Sequence, residues 1–95
     1  MNCCPLQAVL TWLNESLPIT TEVSFVEAEH FYYLFRYLGS VYLYQVKSGR
    51  EDSEALREFY SGILIRILHW YQEGKLTEEQ YQETLIYGVQ KGIID

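Results

Sequence analysis

Apolar residues recur along this chain at steps of three and four, the spacing that lines one side of an α-helix. The first run follows Pro5, whose missing N–H costs nothing in an opening helical turn. Leu6, Val9, Leu10, Leu13 and Leu17 form its stripe, and Pro18 forbids continuation. Trp12 lies off that stripe, either covering a neighbouring helix or standing exposed as an anchor.

Residues 18–23 read as a linker, after which Ser24 and Glu27 make a capping box for a second helix over residues 25–47. Phe31, Leu34, Phe35, Leu38, Tyr42 and Val46 fall on one side of it and are expected in the core. Tyr33, Tyr37, Ser40 and Tyr44 repeat at the same period beside them, a second stripe with no core role of its own. The same residues favour strands, so a hairpin turning at Gly39-Ser40 is the rival, which would make the fold α+β. Strict alternation would then be expected, yet neither side of such a hairpin reads polar. Helix is preferred, with a kink at Gly39 as the intermediate case.

Lys47-Ser48-Gly49-Arg50 interrupts the pattern, and Asp52 or Ser53 caps a third helix with Glu54 in its first turn. Leu56, Phe59, Tyr60, Ile63, Ile67, Trp70 and Tyr71 form its stripe, widened by Leu64, Ile65 and Leu68. A helix apolar around so much of its circumference is central to a bundle or part of a subunit interface. Gly74 ends it as a left-handed cap. Thr77 and Gln80 make a second capping box, with Leu76 and Tyr81 placed as its hydrophobic staple. The last helix carries Tyr81, Leu85, Gly88, Val89 and Gly92 on one side. Gly88 and Gly92 suit close helix packing, but a fraying end is the favoured reading. The expectation is an all-α fold, a small antiparallel bundle of about four helices in one domain spanning 1–95.

Composition adds that the chain is globular: of 95 residues, 48% are hydrophobic and 21% charged, well outside the disordered range. Thirteen acids against seven bases give a net charge of −6, which argues against nucleic acid as a direct ligand, since phosphates demand clustered cations. Adjacent Cys3 and Cys4 rarely bridge each other and lack metal-ligand spacing, so they read as free thiols of a reducing compartment. The N-terminus lacks a basic-then-apolar leader and no run approaches a membrane span, so a cytoplasmic location without membrane contact is expected. Asn14-Glu15-Ser16 matches a glycosylation acceptor that matters only on secretion.

Candidate chemistry is sparse. Glu27 and His30, three apart on a helix, are weak metal candidates; one copy of the spacing is too few for a carboxylate-bridged site, and no cofactor is expected. His69, near a helix C-terminus, reads as a packing residue. No serine or cysteine has a nucleophile context, and no glycine-rich loop cradles phosphate. Catalysis is therefore not expected.

What remains is the aromatic segment 31–44, with five of the nine tyrosines. Tyrosine favours surfaces that are wet when free and covered when bound. The expected function is that of a small acidic protein-binding module that covers a surface on a larger, basic partner, in the manner of an inhibitor, antitoxin, phage counter-defence protein or adaptor. It is expected to form a homodimer through the second and third helices. Tyr33, Tyr37 and Tyr44 would supply area, Arg36 a charged or cation–π contact, and Glu51, Asp52, Glu54 and Glu58 steering toward the partner. The rivals are a homo-oligomer stacking a nucleotide-like ligand between subunits, and a constitutive subunit of a larger assembly.

Overall fold

Local capping chemistry sets where the helices begin. The structure, a computed structural model, describes residues 4–95, which form α1 (Leu6–Ser16), α2 (Phe25–Lys47), α3 (Ser53–Gln72) and α4 (Glu78–Gln90). Both capping boxes form: Ser24 accepts from the Glu27 N–H at 3.1 Å while the Glu27 carboxylate accepts from the Ser24 N–H at 2.8 Å, and Thr77 and Gln80 reciprocate in the same way. Asp52 rather than Ser53 caps α3, accepting from the Ala55 N–H at 3.2 Å. Gly74 ends α3 at φ +78°, a left-handed conformation that side chains resist.

No strand occurs among the described residues, so 31–47 is helix throughout and the hairpin is excluded. Gly39 does not break α2. It is buried in the helix and lies against Tyr60, where an added Cβ would stand 3.3 Å from the ring. The result is a small all-α bundle.

α3 is its hub, packing against α1, α2 and α4 alike. Leu56, Phe59, Tyr60, Ile63, Ile67 and Trp70 are all buried along it, each worth roughly 1.5–3 kcal/mol of transfer free energy. Leu64 and Tyr71 are partly buried against the same core, and Ile65 is exposed.

Phe31, Phe35, Leu38, Tyr42 and Val46 lie in or against the core as expected, but single positions on two helices differ. On α2, Leu34 is exposed and Tyr32 is buried, because the inward row runs Ala28, Tyr32, Phe35, Gly39, Tyr42. Tyr32 tolerates burial because its hydroxyl accepts from Arg36 Nη1 at 2.8 Å and reaches Glu83 at 3.4 Å. On α4, Thr84 and Gly88 are buried while Val89 is exposed. Thr84 returns its hydroxyl to the Gln80 carbonyl at 2.8 Å, leaving no polar atom unsatisfied. Gly88 marks close packing against Tyr60 rather than a fraying end, and Gly92 at φ +73° lets the Ile93 N–H return to the Gly88 carbonyl at 2.9 Å.

α1 is held at both ends by distant side chains. It starts after Pro5, and the Leu6 N–H donates to Glu51 Oε2 at 2.9 Å, so a carboxylate sits at the positive end of the helix. At the other end Arg66, 3% exposed, donates to the Leu17 carbonyl at 2.7 Å, to Leu13 at 3.1 Å and to Gly62 at 2.7 Å. Burial lowers the guanidinium's pKa, because charge has lost water and no carboxylate is among its partners. The linker after α1 is pinned by Lys75, which donates to the Val23 carbonyl at 2.6 Å.

A candidate docking surface on α1 and α2

With Ala28, Tyr32, Phe35 and Tyr42 turned inward, the period of α2 forces Tyr33, Tyr37 and Tyr44 outward. They are 60%, 65% and 66% exposed, in a row about 16 Å long. None of their hydroxyls makes a hydrogen bond among the described residues, and only Tyr33 has a ring partner, Tyr32, edge-on at 5.2 Å.

Beside this row runs an apolar groove of about 350 Å³ between α1 and α2, lined by Cys4, Ala8, Val9, Trp12, Leu34 and Leu38. No charged side chain lines it. Trp12 covers the neighbouring helix, its ring 6.4 Å from that of Phe31, and 36% of the residue remains exposed. Leu34, turned out of the core, joins the groove to the tyrosine row. An apolar surface that continuous is uncommon on a protein with no partner.

Three of the other expected contact residues have internal employment. Arg36 is half-buried between α2 and α4, bonded to the Tyr32 hydroxyl, 3.7 Å from the Glu83 carboxylate, and 5.7 and 5.5 Å from the Tyr32 and Tyr87 ring centres. Its cation–π contacts are therefore made within the chain. Glu51 caps α1 and Asp52 caps α3, so two of the four expected steering acids serve the fold. Glu54 and Glu58 are exposed, but on α3 rather than beside the tyrosines.

Glu27 and His30 are also placed. Glu27 is occupied by its capping box, where the Ser24 N–H holds its carboxyl below the usual carboxylate range, and His30 is exposed. Among the described residues no cluster of three or more His, Cys, Asp or Glu side chains is arranged to hold a metal ion. Cys4 is an exposed free thiol; Cys3 lies outside the described residues. Among the described residues no helix is long and apolar enough to cross a membrane.

The groove escaped the sequence reading because it is built by two helices. Its trace was Trp12, the large apolar side chain that fitted no stripe on α1. Compared with protein-family models, curated proteins and solved structures, the chain finds no match.

Proposed function

We propose that this protein is a non-enzymatic binding module whose α1–α2 face covers a surface on a larger protein partner. The observation that carries this reading is the row Tyr33, Tyr37, Tyr44 standing in solvent beside an uncharged groove. Tyrosine rings lose little conformational entropy when covered, and their hydroxyls remain available to pair across an interface. The mode of action is steric occlusion, as in an inhibitor, antitoxin, counter-defence protein or adaptor. The net charge of −6 favours a basic partner through the approach rather than the final contacts. Self-association accompanying this role uses the exposed face of α2.

The test replaces Tyr33, Tyr37 and Tyr44 together by alanine. Because exposed substitutions shift stability by only about 0.5 kcal/mol each, the melting temperature should change little while recovery of the partner from the native host, and any dimer seen by light scattering, are lost. Tyr32→Ala, from the same segment but buried, should instead lower the melting temperature. Unfolding of the triple variant, or unimpaired partner recovery by it, would overturn the reading.

A further inference from the structure

The groove on the docking face is about one helical turn long on each wall. It runs from Ala8 to Trp12 on α1 and from Leu34 to Leu38 on α2, about 6 Å in each case. Walls made of helix have already paired their own backbone groups and offer an incoming chain none to pair with. An extended segment laid here would leave N–H and C=O groups unsatisfied against an apolar surface. A helix satisfies them internally and presents only side chains.

Charge at the rim selects among helices. Between Cys4 and Phe35 the chain has four glutamates and no lysine or arginine. Two of these acids extend the docking face: Glu15 lies three residues beyond Trp12 on α1, and Glu29 four residues before Tyr33 on α2, spacings that keep each on the same side of its helix. Both are exposed, and neither has an ion-pair partner among the described residues. The cations that reach this half of the chain are already engaged, Arg36 with Tyr32 and Glu83, Arg66 with the Leu13 and Leu17 carbonyls, and Lys75 with the Val23 carbonyl.

Resting on the docking-face reading, we propose that the groove receives a basic amphipathic helix of the partner. Two large apolar side chains one turn apart enter the space of about 350 Å³, matching the one-turn length of its walls. Lysines or arginines flanking them lay their stems over the exposed rings of Tyr33 and Tyr37 and bring their charges to Glu15 and Glu29. The net charge acts on the approach, whereas these two carboxylates act on the seated helix.

The test titrates the full chain with a synthetic alanine-based helical peptide carrying leucines at i and i+4 flanked by lysines, following backbone amide resonances. Saturable shifts are expected at residues 8–12 and 33–38, with a dissociation constant below about 1 mM. The same peptide with glutamates in place of the lysines should bind about tenfold more weakly or not at all. Glu15→Gln with Glu29→Gln should weaken the lysine peptide about three- to tenfold at low salt, the scale of two exposed charge pairs. Leu34→Asp, at an exposed position in the groove, should abolish saturation with little change in melting temperature. Absence of saturation, equal affinity for the acidic peptide, or unchanged affinity in the double glutamate variant overturns the proposal. A dimer in light scattering that Leu34→Asp splits would assign the groove to a second copy and also overturn it. Recovery of the native partner through the tyrosine row does not depend on the peptide, so failure here leaves the docking face standing.

Discussion

Gly88 of α4 sits so close to Tyr60 of α3 that a Cβ at Gly88 would stand 2.5 Å from the tyrosine ring. Beyond the ring, the Tyr60 hydroxyl donates to the Thr84 carbonyl at 2.6 Å, one turn back along α4. The two residues form a lock in which the missing side chain of one admits the aromatic ring of the other. This fixes how closely α4 approaches the hub helix.

Gly88→Ala should therefore destabilise the protein, by about 1–3 kcal/mol for an overpacked core. In an exposed helix the same change stabilises by up to about 1 kcal/mol, so the two accounts predict opposite signs. Urea unfolding decides between them.

The Tyr60 lock should also fail in alkali. Burial pushes the Tyr60 hydroxyl well above the usual tyrosine pKa, and burial raises Tyr32 as well, against the opposing pull of Arg36. Both therefore keep their protons in the fold while the unfolded chain loses its own near pH 10. The unfolded state then binds fewer protons, so stability is complete below about pH 10 and falls above it, by up to about 1.4 kcal/mol per pH unit for each retained proton. Tyr60→Phe should flatten this alkaline limb, at the cost of the bond to Thr84. A limb of unchanged slope in that variant would remove Tyr60 from the explanation.

Arg66 sets hydrogen bonding against desolvation. Arg66→Met keeps most of the volume but strips the donors from the Leu17 and Leu13 carbonyls. Bonds to a charged donor are worth about 1.5–3 kcal/mol each, while an apolar replacement is relieved of the desolvation term. With the Leu17 carbonyl orphaned at a helix end, while the Leu13 carbonyl keeps the Leu17 N–H at 3.2 Å, a net loss of about 1–3 kcal/mol is expected in urea unfolding. A loss near zero would mean that desolvation cancels the bonds.

These same residues show which parts of the fold were legible in the sequence. Helix starts at Ser24 and Thr77 and the stop at Gly74 depend on partners three or four residues away, so they could be read directly. Pairings such as Leu6 with Glu51 and Arg66 with Leu17 span 45 and 49 residues, and no local pattern announces them. Single positions on the inward faces of α2 and α4 were misjudged for a related reason. Tyr32 and Thr84 look polar until their partners are known, while Leu34 and Val89 look like core until the neighbouring helix proves to be elsewhere. The outward row of Tyr33, Tyr37 and Tyr44 was legible because it follows from period alone; the groove beside it was not, because α1 supplies its other wall.

α1 is 11 residues long, too short to persist by itself in water, and its two ends are fastened by Glu51 and Arg66. It is also one wall of the groove. The proposed docking would couple recognition to local unfolding, because a partner in the groove adds contacts that exist only while α1 is seated. Amide hydrogen exchange along α1 should then slow on complex formation, even at positions the partner never touches.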